Sequence, residues 1–211
     1  MRKRIAALLA LALIALMAYS FLQFWAIDSG TQAEKRLHQQ ALDAKPAQEP
    51  GEGEDPLAAL RAQNPDIVGW IAVPFTGIDY PIVQAEDNDY YLRRDLNGES
   101  ARHGTVFMDY RCAPDGSGYS ILYGHNMRDG SMLGTLKRFA DKEFLENHPG
   151  GRVLFEDGWH DIEFYAFRTV PHDDPEIYGY PDTPSVGRAI VLSTCSYAYE
   201  GARMVLLGKI L

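Results

Sequence analysis

Cysteine is scarce in this 211-residue chain, which has only Cys112 and Cys195. An oxidising compartment could therefore make one bridge at most, and that pairing is the default against which any reactive thiol must be weighed. No CxxC, HxxxH or HExxH spacing occurs, and the six histidines are scattered, so no metal centre is expected. The acidic stretch Glu86-Asp87-Asn88-Asp89 lacks the glycine and closing glutamate of a calcium loop and reads as solvated. There is no internal repeat, which excludes a solenoid. Positive charge is in short supply as well, with 20 basic residues against 29 acidic ones and a net charge of −9. Three of the basic residues and none of the acidic ones precede Asp28, which leaves 17 against 29 beyond it, a net −12. Such a surface is a poor partner for nucleic acid or anionic lipid.

Charge is absent altogether from one stretch. Met1-Arg2-Lys3-Arg4 is followed by an apolar run from Ile5 to Ile27, interrupted only by Ser20 and Gln23. About 20 apolar residues span hydrocarbon as a helix. Basic flanks stay on the cytoplasmic side, and Trp25 suits the interfacial belt. A signal-peptide core is shorter and ends in small residues, whereas this run ends in Phe21-Leu22-Gln23-Phe24-Trp25. The expectation is a retained single-pass transmembrane helix over residues 1–27, N-terminus inside, with the remainder outside the cell. Residues 28–59 are polar and rich in Pro and Gly and read as a stalk, in which Leu37 and Leu42 support a short helix at most. Residues 60–211 have globular composition.

Within that domain, short apolar runs at close spacing read as strands: 68–73, 80–83, 104–108, 119–123, 152–155, 160–168, 189–194 and 204–210. Short helices are expected over 57–63, 132–139 and 142–147. Residues 171–187 read as loop. The fold expected is mainly β, a closed or nearly closed barrel with helices at its rim.

Cys195 ends the run Ala189-Ile190-Val191-Leu192-Ser193-Thr194, where a buried strand reaches a rim. A thiol attacks as the thiolate and needs a base or cation beside it. Among the histidines, His125 alone directly follows a strongly apolar strand, and Gly124 would allow a sharp turn before it. Arg203 alternates with Val205 and Leu207 onto one strand face, a costly place for a guanidinium without a task or partner. It could hold an oxyanion beside Cys195, or pair with Glu200 at a strand end. Spacing leaves that choice open.

Leu192-Ser193-Thr194-Cys195-Ser196-Tyr197, with Arg203 eight positions on, resembles the catalytic signature of sortases. Tyr123-Gly124-His125-Asn126-Met127 followed by Asp129-Gly130-Ser131-Met132 resembles the histidine segment of class B sortases. Asn64 to Ile71, Ile78 to Gln84 and Phe107-Met108-Asp109-Tyr110-Arg111 match the same class in the same order. The resemblance covers roughly residues 60–211 and implies an eight-stranded barrel performing ping-pong transpeptidation without cofactor. It implies Cys195 as nucleophile attacking the carbonyl of a Thr in a C-terminal sorting signal, His125 as acid and base, and Arg203 on the substrate backbone and oxyanion. Ser193, Thr194, Asn88 and Leu92 would line the substrate groove. The implied partners are secreted proteins bearing that signal, and a peptidoglycan precursor or pilin lysine as acceptor, in a Gram-positive-type cell envelope. Class B members usually carry a longer, helix-containing insertion before the cysteine strand than Val170 to Arg188 provides. Two other readings stay open: an exported thiol hydrolase without transfer, and a membrane-tethered binding barrel with a Cys112–Cys195 disulfide.

Overall fold

Eight strands form where the apolar runs predict them. In the computed structural model, which describes residues 2–46, 55–179 and 187–211 without the side chains of 2–4, 6–8, 10 and 26–31, they are β1 (Ile67–Val73), β2 (Ile78–Val83), β3 (Phe107–Met108), β4 (Tyr119–Tyr123), β5 (Gly150–Phe155), β6 (Gly158–Pro171), β7 (Ala189–Cys195) and β8 (Ala202–Ile210). They close into one barrel in the order β1-β2-β3-β4-β7-β8-β6-β5. β6 is long enough to serve two neighbours. Its first half pairs with β5 and its second with β8, and the register shifts between Phe164 and Ala166 as it bends across.

The interior is filled from every strand face that alternation turns inward, including Ile71, Ile82, Ile121, Val153, Phe164, Val191 and Val205. β1 is buried on its outer face as well. Ile67 and Trp70 pack there with Leu57 and Leu60 around helix α2 (Ala58–Arg61). The glycine at 69 lets β1 lie close to β5, since a Cβ there would come 2.4 Å from the carbonyl oxygen of Leu154. Helix α3 (Lys142–Asn147) falls where the sequence predicts it, capped by Asp141, whose side chain accepts the N–H of Glu143. The helical spacing from Met132 yields only a 3₁₀ segment, Leu136–Ala140.

Three readings change in detail. Helix α1 runs from Arg2 to Asp43, well past Ile27, and stops ahead of Pro46. The chain divides into a unit ending at Leu37 and a unit from His38 onward. Within the second unit, Ala41 is buried among Leu57, Trp70 and their neighbours. Lys45 pairs with Asp79 at 2.6 Å and lies over the rings of Trp70 and Trp159. Packing therefore reaches into the segment read as a stalk at Ala41 to Lys45 and again at Leu57, because these side chains find the barrel's outer face beside Trp70; residues 47–54 of that stalk lie outside the described residues. Among the described residues no helix is long and apolar enough to cross a membrane. The large side chains Ile5, Leu9 and the apolar ones from Leu11 to Trp25 are exposed on α1. Lastly, the segment before β7 holds a helical turn, α4 (Pro175–Tyr178), where a loop was expected. Asp174 caps it through the N–H of Glu176, Pro175 occupies its first turn and Ile177 is buried. Residues 180–186 of that segment lie outside the described residues.

Candidate active site

β4 and β7 pair in parallel, from Tyr119 opposite Ala189 to Tyr123 opposite Ser193. Parallel neighbours end at the same rim, so the residues that follow, Gly124-His125 and Thr194-Cys195, emerge side by side. β8 runs antiparallel to β7 and sets Arg203 directly opposite Cys195. Opposed residues on neighbouring strands project from the same face, about 5 Å apart at Cβ. The Arg203 guanidinium accordingly donates from Nη1 to the Cys195 sulfur. The choice that spacing left open, sulfur or Glu200, goes to the sulfur.

Three hydrogen bonds lace the histidine segment to β7. Gly124 N donates to Ser193 O at 3.3 Å, Thr194 Oγ1 to Gly124 O at 2.7 Å, and Asn126 Nδ2 to Cys195 O at 2.9 Å. Gly124 keeps an ordinary negative φ, so a sharp turn is not why glycine stands there. A Cβ at 124 would meet the side chain of Leu133 at 2.8 Å, so close packing is the reason. His125 Nε2 lies 2.7 Å from the carbonyl oxygen of Leu92. A carbonyl only accepts, so Nε2 carries the proton, and Nδ1 is the nitrogen left to take or give one.

Cys195, His125, Arg203, Ser193, Thr194, Asn88 and Leu92 all line one cavity of about 250 Å³. Their side chains are not equally available. Thr194 is committed to Gly124, and Asn88 holds Asp109 Oδ2 at 3.0 Å and the N–H of Tyr110 at 3.1 Å. Ser193 Oγ is 2.8 Å from Tyr178 Oη. Leu92 acts on His125 through its carbonyl. The barrel wall below is braced by Asp109, which is fully buried and accepts from Tyr123 Oη at 2.9 Å and from Arg111 Nε and Nη2 at 3.0 and 2.9 Å. Burial, with that carboxylate next to it, keeps the Tyr123 phenol protonated far above the ordinary range. Burial raises the Tyr178 phenol too.

Tyr123, Asn126, Asp109 and Tyr178 carry structural duties at the site that the sequence reading did not assign. A signal existed for three of them. Asn126 follows His125 directly, Tyr123 ends the same strand, and Asp109 sits between an apolar strand and Arg111. Tyr178 offers none beyond the Asp174-Pro175 helix start.

Both cysteines are free thiols. Cys112 sits beside Ile121, its sulfur accepting that residue's N–H at 3.3 Å. Ile121 is opposite Val191, four residues before Cys195. At about 3.3 Å per residue the two sulfurs lie at levels roughly 13 Å apart along the strands, beyond disulfide reach. The bridged binding barrel is thereby set aside.

Residues 71–210 match the Sortase domain family. Sortase B of Listeria monocytogenes is 38% identical over 188 residues, covering 76% of this chain and 76% of that protein. Sortase B of Staphylococcus aureus is 26% identical over 230 residues, covering 97% and 94%. The crystal structure of sortase B from Bacillus anthracis in complex with AAEK1 superposes with a TM-score of 0.71 at 32% identity, covering 87% of this chain and 98% of that one. The chain belongs to the sortase family of cysteine transpeptidases. Within that family it is a class B sortase.

Proposed function

We propose that this sortase cleaves a C-terminal sorting signal of secreted proteins after a Thr and transfers the protein to an amine of the cell wall or of a pilin. The observation that carries the reading is the cavity in which the Arg203 guanidinium lies on the Cys195 sulfur, with His125 on the same rim. In the first half-reaction the Cys195 thiol passes its proton to His125, and Sγ attacks the Thr carbonyl carbon. Charge develops on the carbonyl oxygen, and Arg203 is the donor at hand for it. His125 gives a proton to the leaving amine, the C–N bond breaks, and an acyl-thioester remains. In the second, an acceptor amine attacks the thioester and restores the thiol. Ser193, Asn88, Leu92 and Thr194 are proposed to shape the groove, the polar ones chiefly by holding its walls.

The proposal includes location. The basic cluster at Arg2–Arg4 and the apolar run Ile5–Ile27, whose large side chains from Ile5 to Trp25 stand exposed where described, support a single-pass anchor with the N-terminus cytoplasmic. The acidic domain from 60 to 211 would then act outside the cell, behind a linker starting near residue 28.

The test is a peptide-library cleavage assay on the full chain in detergent, with thioester trapping and with or without added amine. A trapped adduct on Cys195 and an amine-dependent ligation product are expected. Cleavage with no amine-dependent product would make the protein a hydrolase instead, and no adduct at all would remove the nucleophile assignment.

A further inference from the structure

The carbonyl that holds the His125 ring belongs to Leu92, and Leu92 is itself held by a buried segment ahead of β3. It lies in the 3₁₀ turn Tyr90–Arg93. That turn is anchored by Tyr91, a buried side chain whose Oη accepts from Asn64 Nδ2 at 2.8 Å and donates to Asp66 Oδ2 at 2.6 Å. Of the four successive carbonyls from Tyr91 to Arg94, three are taken by residues of one later segment. Tyr91 O accepts the N–H of Thr105 at 3.1 Å, Arg93 O that of Ala101 at 3.0 Å, and Arg94 O the hydroxyl of Thr105 at 2.9 Å. The remaining one, Leu92 O, takes His125 Nε2 at 2.7 Å.

Gly104 lies directly against that carbonyl. Its φ of 59° is in the left-handed region, and an added Cβ would come 2.6 Å from Leu92 O and 2.8 Å from Tyr91 O. Real Cβ atoms do not approach backbone so closely, so only glycine lets the two segments close up here without moving residue 92. Ala101 and Thr105, on either side of Gly104, are buried as well. The N–H of Thr105 is spent on Tyr91, which is one reason the residue stands outside the β3 ladder.

Building on the transpeptidation proposed above, we infer that Gly104 and Thr105 are positioning residues for the reaction. They set the Leu92 carbonyl against His125 Nε2 and so leave Nδ1 as the nitrogen that trades the proton. An imidazole can turn about its side-chain bonds and exchange tautomers, and a fixed acceptor on one nitrogen removes both freedoms. The other bonds of the histidine loop hold its backbone: Leu133 N donates to His125 O at 3.1 Å, and Asn126 and Met132 bridge. Leu92 O holds the ring. Because Leu92 also lines the cavity with Cys195, a role in ring placement and a role in donor binding must be told apart. The first lowers kcat, and the second raises KM.

The test uses the full chain in detergent. An imidazole N–H is visible in the low-field proton NMR spectrum when a hydrogen bond slows its exchange with water. His125 should give such a signal, assigned by its loss in His125→Gln. Gly104→Ala should abolish the signal and lower kcat by roughly 10²-fold, the cost of a slightly misplaced catalytic group, with KM nearly unchanged. Thioester formation on a peptide from the library assay and aminolysis by glycinamide should slow alike, since His125 serves both. Thr105→Val should weaken the signal and reduce kcat a few-fold, and Thr105→Ser should restore both. Gly118→Ala controls for backbone strain, because Gly118 has a φ of 90° and nothing within 4 Å of an added Cβ. It should leave the signal and kcat as they are.

A signal that survives Gly104→Ala would overturn the inference, as would a raised KM with unchanged kcat. Equal losses in Gly118→Ala would also overturn it, by reducing the effect to strain. If Gly104→Ala does not fold, Thr105→Val decides, and an unchanged signal and kcat there count against the inference. The signal is read without any peptide. An unmodified chain that shows it but forms no thioester therefore counts against the transpeptidase reading, whereas one that forms thioester without the signal counts only against this one.

Discussion

Cys112 and Cys195 lie beside the same parallel strand pair, but their surroundings have little in common. Cys112 is buried in the barrel core, its sulfur engaged by the backbone N–H of Ile121. Cys195 stands half-exposed at the open end of β7, under the guanidinium of Arg203 and one strand away from His125. The side chains are identical, so the difference is entirely one of position. Buried in a loop packed against the sheet, a thiol behaves as a small hydrophobe. At a rim, with a cation across the strand and an imidazole on the parallel neighbour, it gains the partners that thiol chemistry requires. The barrel supplies that contrast because the loop after β3 folds into its core, whereas β7 runs out to an open edge at Cys195.

Replacing the rim thiol should have the largest effect. Cys195→Ala is expected to lower kcat by roughly 10⁴-fold or more while leaving the thermal transition almost unchanged, as measured by turnover and calorimetry. Residual turnover above a few per cent would break the contrast between the two thiols. Arg203→Ala comes next. Loss of a donor at the developing oxyanion costs roughly 10²–10³ in kcat, and Arg203→Lys should recover only part because the planar fork is lost. An Arg203→Ala enzyme with unchanged kcat and raised KM would mean that the guanidinium only binds substrate. The smallest effect belongs to the core thiol. Cys112→Ala should keep most of the turnover and cost about 1 kcal/mol of stability, seen as a lower denaturation midpoint. Iodoacetamide on the native protein should modify Cys195 first, and Cys112 only after unfolding. Equal reactivity of the two would show that burial does not separate them.

The fold was legible to a considerable depth. All eight strands coincide with runs of branched and aromatic residues bounded by Gly, Pro or Asp, since a half-buried pleated surface demands that pattern. β3 is shorter than expected, because Gly104-Thr105-Val106 lies outside the ladder. The turn at α4 was missed although Asp174-Pro175-Glu176 is a cap followed by proline in the first turn. Its neighbours, rich in Pro, Gly and Asp, masked a signal only three residues long. The packing of Ala41 and Lys45 on the barrel was invisible for another reason: a lone alanine and a lysine stem have no periodicity to read, and their partners, Trp70, Asp79 and Trp159, lie far along the chain.

Local pattern alone determined that a run ending in Cys195 and a run ending just before His125 would be buried strands with their last residues at an edge. It also determined that an acidic domain follows a basic-flanked apolar segment. The tertiary structure decided which strand ends meet. Parallel pairing of β4 with β7 brought His125 and Cys195 to one cavity, and the antiparallel register of β8 set Arg203 against the sulfur. It also buried the second thiol. The reason is that alternation along a strand fixes which face a side chain takes, whereas its neighbour across the sheet is set by strand pairing and register, which join segments as distant as Tyr119 and Ala189 and as near as Cys195 and Arg203.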